Sequence, residues 1–358
     1  MNDETYRALE TQLIQALNLA LHIEETSYTH SFDIRCDETG FFFIPRLPAS
    51  FVVDTKLYQQ IYAIASALLY PTMTLLKQNG AYFVPNSGGS FSTQRALYYP
   101  WQPGVAERLE IDDIESFSQD QIGSTLPIME NFDLDISKIT HIGIAGQSGS
   151  GKSTFLIYLL HLLKDKGNVT ICDPKLDTPS RFARQYNLRL IAPVEVVNKN
   201  DFVSSVNAEL SSAVDLIHTR QRELFENPEI TFTPEFLVID ELLALTENVS
   251  KSVSEAFQGL LSTIALLGRA TGVHLILLSQ RFDARALSTS TRDQLNMVVQ
   301  LGAIDTRTTN FLLPDLDVKD IVVPQGIGAG LIQVIDGVHP SQPMPLLTPS
   351  FKVRGGEQ

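Results

Sequence analysis

The spacing of hydrophobic residues differs between the first third of the chain and the rest. In the first third, apolar residues recur at three- and four-residue steps from Tyr6 to Leu21, which predicts an amphipathic helix. The other elements predicted here are a strand at 41–44, a helix at about 54–69 and a hairpin with strands at 81–84 and 96–99. Residues 1–105 are therefore predicted to form a small α+β domain, whose activity the pattern does not indicate.

From about residue 126 the chain alternates between short apolar segments and longer amphipathic ones. The predicted strands are 141–145, 169–172, 236–239, 274–278 and 297–301, and the predicted helices end near 166, span about 202–225 and include 253–267. Strands separated by helices predict an α/β fold with a mainly parallel sheet that is covered on both faces. We expect this domain to occupy residues 126–347, with an acidic linker at 106–125 and a tail at 348–358.

Charge and cysteine content restrict the function classes. The 358 residues carry a formal net charge of -14, which argues against a protein that coats nucleic acid through a generally basic surface. The two cysteines, Cys36 and Cys172, exclude a disulfide framework and a multi-cysteine metal site. Such low cysteine content is typical of the reducing cytoplasm, where we expect the protein to reside. The longest uncharged run, Leu57–Leu76, contains two glutamines and a proline, so we interpret it as a buried helix rather than a membrane span.

A glycine-rich segment after the 141–145 strand has the pattern of a phosphate-binding loop. Its residues are Gly146, Gln147, Ser148, Gly149, Ser150, Gly151, Lys152, Ser153 and Thr154. Glycines let the backbone fold around an anion, Lys152 brings a positive charge to the β and γ phosphates, and the Ser153 hydroxyl ligates Mg²⁺. Because the segment follows a predicted strand and begins a predicted helix, we interpret it as the site of an ATPase that uses ATP and Mg²⁺.

Two carboxylates follow the apolar strand at 236–239. Asp240 is predicted to hold the magnesium shell, and Glu241 to polarise the attacking water. The alternative is a solvated strand end that happens to carry two acids. The phosphate-binding loop favours the catalytic interpretation, since the carboxyl ends of parallel strands meet at one edge of a sheet.

Two further polar residues border the 274–278 strand. Gln280 follows the strand and is a candidate for bonding the γ-phosphate or its water; the alternative is a surface glutamine. Arg269 precedes the strand, at the end of the 253–267 helix. It either interacts with the carboxyl end of its own helix or reaches a neighbouring subunit's nucleotide, and the residues alone leave both open.

Four segments in this region resemble, in order, motifs of the FtsK/SpoIIIE family of DNA-translocating motors, in the HerA–FtsK branch of P-loop ATPases. The segments are residues 134–141 before the phosphate loop, Asp173-Pro174-Lys175, residues 266–281 and Asp305-Thr306-Arg307. The match with residues 266–281, from Leu266-Leu267-Gly268-Arg269 to Ser279-Gln280-Arg281, is the most specific. The resemblance covers about residues 126–347.

The resemblance implies a RecA-like core that assembles as a ring, expected to be a hexamer, around double-stranded DNA. It implies that Arg269 acts in trans as an arginine finger and that Gln280 acts as a sensor of hydrolysis. It also implies that Arg281 and Arg292, and more weakly Arg307, face the central pore and contact DNA phosphates. A few arginines in a channel would reconcile DNA binding with the acidic chain.

The chain resembles the short members of this family that are encoded on plasmids, conjugative elements or phage-derived islands. Membrane helices and a winged-helix domain, found in chromosome-segregating members, are not expected here, and Phe282 stands where the family usually has proline. Residues 1–105 match no motif of the family. We expect them to contact a relaxase or another mobile-element protein.

The sequence thus predicts an Mg²⁺-dependent ATPase that moves along double-stranded DNA in the transfer, replication or packaging of a mobile element. One alternative is a helicase-like motor that follows a single strand. The other is an ATP-switched adaptor that recruits a relaxase or nuclease.

Overall fold

The chain consists of two units. We describe them from a computed structural model. The residues described are 3–21, 31–47, 49, 52–78, 80–121, 123–194, 198–282, 286–314, 316–319, 321 and 323–353. The first unit comprises Met1–Val105, Asp315–Val322 and Gln342–Met344, and the second comprises Ala106–Pro314, Val323–Ser341 and Pro345–Gln358. The later part of the chain thus contributes to both units.

The first unit is an antiparallel sheet with two helices. Its elements are α1 (Asp3–Ala20), β1 (Phe32–Asp37), β2 (Gly40–Pro45), α2 (Thr55–Leu69), β3 (Met73–Leu75), β4 (Phe83–Pro85) and β5 (Arg95–Pro103). The strand order is β1-β2-β5-β3, with β4 also pairing β5. Leu13 and Leu17 of α1 and Ile61 of α2 are fully buried in the core. The predicted helices, the strand at 41–44 and the hairpin are confirmed.

The second unit contains the remaining elements. They are β6 (Glu110–Ile111), α3 (Ile114–Asp120), β7 (Thr125–Met129), β8 (Phe132–Asp135), β9 (His141–Gly146), α4 (Lys152–Leu163), β10 (Asn168–Cys172), α5 (Thr178–Gln185), β11 (Arg189–Ile191), α6 (Lys199–Glu226), β12 (Glu235–Ile239), α7 (Leu242–Thr246), α8 (Lys251–Thr271), β13 (Val273–Ser279), α9 (Thr289–Arg292), β14 (Met297–Leu301), α10 (Thr306–Thr309), β15 (Ala329–Val334), β16 (Met344–Leu347) and β17 (Ser350–Phe351). The stretch 106–125, predicted as a linker, holds β6 and α3, and β6 pairs in parallel with β17.

The main sheet has the strand order β11-β10-β12-β13-β9-β14-β15-β16. The six strands from β11 to β14 are mutually parallel, and β15 runs antiparallel to β14. The connections that follow β9 and β10 lead toward the β11 edge of the sheet. The connections that follow β11 and β12 lead toward the β16 edge. Right-handed crossovers therefore put α4 and α5 on one face and α6 and α8 on the other, and α6 packs against α8. The predicted α/β fold is confirmed.

Helix α2 tests the interpretation of the long uncharged run. Its apolar side chains, among them Leu57, Ile61 and Leu69, are buried in the first unit, and Asp54 caps its start by accepting a hydrogen bond from the Leu57 N–H at 2.9 Å. Across the described residues, no helix is both long and apolar enough to cross a membrane. The expected buried helix is confirmed.

Candidate nucleotide-binding site

Polar residues follow the ends of neighbouring parallel strands at one edge of the main sheet. Cys172 at the end of β10 lies beside Ile239 at the end of β12, and Ser279 at the end of β13 lies beside Ala145 of β9. The residues that come next along the chain are Gln147, Asp173, Asp240 and Gln280. The order of strands therefore brings together the phosphate loop, both predicted acids and the predicted sensor.

The shape of the phosphate loop depends on glycine. Gly149 and Gly151 have φ angles of 78° and 98°, in the left-handed region that side chains disfavour. A Cβ on Gly151 would lie 2.9 Å from the backbone nitrogen of Gly328, and the Gly328 N–H donates a hydrogen bond to the Ser150 carbonyl at 3.0 Å. The segment around Gly328 therefore packs directly against the loop and supports it.

Lys152 and Ser150 are placed to receive an anion. The Lys152 ammonium donates to the carbonyls of Gly146 and, at 3.1 Å, Gln147, and burial lowers the pKa of Lys152 while the charge of Glu241 acts in the opposite direction. The buried Ser150 Oγ has no hydrogen-bond partner in the described part of the chain. A phosphate group would offer better partners to both groups than the loop itself does, because charge-assisted hydrogen bonds are the stronger ones.

The donor set fits Mg²⁺ held together with a nucleotide. Ser153, in the exposed first turn of α4, offers a hydroxyl oxygen, and Asp240 offers a carboxylate that is 7% exposed. Burial, followed by the negative charge of Asp173, raises the pKa of Asp240 to about 6. A divalent cation would relieve this crowding of negative charge. The described residues contain no cluster of three His, Cys, Asp or Glu side chains that could hold a metal, so phosphate oxygens and water would complete the shell.

Glu241 is buried and its carboxylate is fixed on both oxygens. Its backbone φ angle is 55°, and the whole residue is 6% exposed. Its Oε2 accepts a hydrogen bond from the Lys175 ammonium at 2.7 Å, and its Oε1 accepts one from the Gln280 N–H at 3.2 Å. The end of β13 thus touches the predicted base through the Gln280 backbone, while the Gln280 side chain is exposed.

Lys175 is the contact that the sequence did not reveal. The motif Asp173-Pro174-Lys175 is visible in the sequence, but no chemical role could be given to Lys175 because the order of strands was unknown. Asp173, fully buried, accepts hydrogen bonds from the Lys175 N–H at 2.8 Å and from the Ser180 Oγ at 2.6 Å. It thereby fixes the loop that carries Lys175 beside Glu241.

Arg269 lies at the opposite edge of the sheet from the phosphate loop. It is exposed in the last turn of α8, before β13 begins, whereas Gln280 follows the end of the same strand. Its side chain makes no hydrogen bond or ion pair within the described portion of the protein. The carboxyl end of α8 is capped instead by Gly272, in the left-handed conformation, and by the Arg220 guanidinium, which donates to the Thr271 carbonyl at 2.8 Å.

The three arginines expected to face a pore differ in their surroundings. Arg281 is exposed just after β13, and Arg307 is exposed on α10 after β14. The Arg292 side chain is only 18% exposed, and its Nη1 donates to the Phe311 carbonyl at 2.9 Å. Arg292 therefore holds the segments after β13 and β14 together within the chain.

The chain is similar to known ATPases and to FtsK-type proteins. An AAA domain is matched by residues 137–287. The FtsK domain-containing protein YdcQ of Bacillus subtilis (strain 168) is 25% identical over 237 residues, which are 64% of this chain and 47% of the relative. The structure of the pCW3 conjugation coupling protein TcpA, a monomer form with ATPgS, has a TM-score of 0.56 at 17% identity and covers 96% of this chain and 95% of that chain.

The chain is similar to P-loop ATPases of the FtsK type. The resemblance to the FtsK family that the sequence predicts, the ATPase activity and the use of ATP with Mg²⁺ are confirmed. The similarity to TcpA extends over both units and shows that the two proteins share a fold. The chain spans about half the length of the curated relative it matches.

Proposed function

We propose that the protein is a cytoplasmic ATP-driven motor that moves along double-stranded DNA as a closed ring of six subunits. Its process would be the transfer, replication or packaging of a mobile element. An FtsK domain in the curated relative and a conjugation coupling protein of similar fold support this choice. The observation that carries the proposal is the position of Arg269 at the far edge of the sheet, because an arginine there that takes part in hydrolysis acts in the site of a neighbouring subunit.

In the proposed cycle each residue of the site has one task. The ammonium of Lys152 would leave the loop carbonyls for the β and γ phosphates. Ser153 and Asp240 would hold Mg²⁺, which would supply positive charge to the phosphate oxygens. Glu241 orients the attacking water. The arginine finger, Arg269 of the next subunit, stabilises the charge that develops on the transferred phosphoryl group.

Gln280 would link hydrolysis to DNA. Its backbone N–H contacts the base, and Arg281 follows it directly, so a shift of Glu241 on hydrolysis moves the segment after β13. Arg281 and Arg307 are proposed to contact DNA phosphates, and Arg292 to join their two segments through the Phe311 carbonyl. The net negative charge of the rest of the chain would keep DNA at the pore surface that carries these arginines.

Residues 1–105 are proposed to contact a relaxase or another protein of the mobile element. They form a unit with its own core, distinct from the ATPase site, which supports a separate task. A pull-down of relaxase by this protein, compared with a variant altered only on the first unit's exposed residues such as Phe91, would test the assignment.

Displacement of a triplex-forming strand from intact duplex tests the motor directly. The proposal expects ATP-dependent displacement without duplex opening, and electron microscopy with an ATP analogue should show a six-membered ring with DNA in its pore. Unwinding of forks without triplex displacement would indicate a single-strand motor. Turnover that DNA does not stimulate would indicate an ATP-switched adaptor. Either result would overturn the proposal.

A further inference from the structure

The ammonium of Lys175 is bound to the carboxylate of Glu241 in the ATPase site. The Nζ to Oε2 distance is 2.7 Å, and the two side chains are 46% and 7% exposed. The second oxygen of Glu241 accepts only the longer bond, at 3.2 Å, from the Gln280 backbone. Lys175 therefore provides the shorter of the two contacts that orient this carboxylate.

The loop that carries Lys175 is itself rigidly supported. Asp173 accepts hydrogen bonds from four groups: the N–H of Lys175, the N–H of Asp177, and both the N–H and the hydroxyl of Ser180. Asp173 directly follows β10, and β10 pairs with β12, which delivers Glu241. Lys175 is thus presented from the adjacent strand end by a buried, fully bonded carboxylate.

Negative charges around Glu241 make the contact with the Lys175 ammonium important for the position of its carboxylate. Glu241 lies next to Asp240 and in a left-handed backbone conformation, and Asp173 is a further buried carboxylate nearby. Lys152 is directed to the loop carbonyls and does not bond Glu241 in this arrangement. Without the Lys175 ammonium, repulsion between like charges would push the carboxylate away from its present place.

We propose that Lys175 is a positioning residue for ATP hydrolysis, which holds the Glu241 carboxylate in the orientation that directs it at the attacking water. The proposal rests on the water-orienting role proposed above for Glu241. Lys175 is not proposed to contact the nucleotide. Its loss therefore lowers kcat and leaves nucleotide affinity almost unchanged.

The test compares Lys175→Met, Lys175→Arg and Glu241→Gln by steady-state ATPase assays and by binding of a fluorescent ATP analogue. Misplacement of a reacting group by about 1 Å costs up to about 100-fold, so Lys175→Met should lower kcat by about 10- to 100-fold. Arginine retains the charge and donors, so Lys175→Arg should recover part of the loss. Lys352→Met is the matched control, since Lys352 also bonds a carboxylate, Asp112, at 2.8 Å but lies 72% exposed.

A double variant separates this role from a merely structural one. If Lys175 acts through Glu241, adding Lys175→Met to Glu241→Gln should cause no further loss of kcat, whereas independent effects would multiply. Multiplied losses would overturn the proposal. A raised KM with normal kcat would also overturn it, because Lys175 would then be a phosphate ligand. A raised kcat would overturn it as well, because Lys175 would then restrain hydrolysis.

The same set of variants distinguishes failure of this inference from failure of the proposed site. Normal turnover in Glu241→Gln would overturn the role of Glu241 itself. Loss of turnover in Glu241→Gln with normal turnover in Lys175→Met would overturn only the role of Lys175. If Lys175→Met does not fold, Lys175→Gln takes its place, and a wild-type kcat in Lys175→Gln contradicts the proposal.

Discussion

Arg269 and Gln280 lie beyond opposite ends of the same strand, β13. The seven residues of β13 span roughly 23 Å at about 3.3 Å per residue. Gln280 adjoins the base Glu241, so Arg269 is too far from the phosphate loop of its own chain to contact a nucleotide there. If Arg269 takes part in hydrolysis, it acts on a neighbour.

Two substitutions should separate nucleotide binding from hydrolysis. Lys152→Ala removes the charge that meets the β and γ phosphates and should weaken ATP binding by roughly 100-fold, the effect of one strong charge-assisted contact. Glu241→Gln should keep binding and lose about 10²- to 10⁴-fold in turnover, as expected for loss of a general base. Binding and turnover are measured for both. Unchanged turnover in Glu241→Gln would show that another group orients the water.

Reversing the charge of Arg281 and Arg307 should abolish DNA stimulation while basal ATPase activity is retained. Removing one arginine–phosphate interaction should reduce the dependence of log affinity on log salt concentration by about 0.9 per subunit. Duplex binding across a salt series checks this. Equal slopes in wild type and the double variant would refute the DNA-contacting role.

Arg292 serves as a contrast to those two arginines. Its side chain is 18% exposed and bonds the Phe311 carbonyl, so Arg292→Glu should also lower the melting temperature, unlike a change at the exposed Arg307. Loss of a hydrogen bond from a charged donor costs about 1.5–3 kcal/mol. Thermal unfolding distinguishes the two classes.

His141 should make the stability of the second unit depend on pH. It is 1% exposed; its Nε2–H donates to the Ala265 carbonyl at 3.1 Å, and its Nδ1 accepts from the Leu275 N–H at 3.0 Å, so the ring is neutral. Burial, and next the neighbouring His274, lower the pKa of His141 to about 4. The unfolded chain then takes up a proton that the folded chain does not, so stability is full above about pH 6.5 and falls as pH drops toward 4.

The size of this effect follows from the shift. Between pH 6.5 and 5, one histidine should cost about 2 kcal/mol, at about 1.4 kcal/mol per pH unit. Urea unfolding is compared at pH 7 and pH 5 for wild type and His141→Gln, because a glutamine amide can also donate to Ala265 and accept from Leu275. His161 is also buried, and burial lowers its pKa to about 4. Its contribution to the loss of stability at low pH is the same in both proteins. An identical loss in the two proteins would contradict the assignment to His141.

The sequence was sufficient for those parts of the site that one short segment encodes. The phosphate loop with its flanking strand and helix, and Asp240 and Glu241 after β12, follow from local pattern. The contact of Lys175 with Glu241 could not be foreseen, because it depends on β10 lying next to β12 in the sheet. The same holds for Arg220, which caps α8 from α6. The antiparallel strand β15 was also not predicted, because its apolar residues are not next to a segment with a helical pattern.

The most direct test of the account mixes two inactive proteins. Arg269→Ala keeps an intact nucleotide site but lacks the finger, and Lys152→Ala lacks the site but keeps the finger. Arg269→Ala alone should bind ATP normally, hydrolyse it about 10³- to 10⁵-fold more slowly and melt near the wild-type temperature, since a helix-end charge contributes only about 0.3–1 kcal/mol.

In rings formed at random from equal amounts of the two proteins, about a quarter of the subunit boundaries join an intact site to an intact finger. ATPase activity should reappear in the mixture in proportion to those boundaries. Two results would contradict it: a mixture that stays inactive although mixed rings are shown to form, and Arg269→Ala hydrolysing ATP at the wild-type rate.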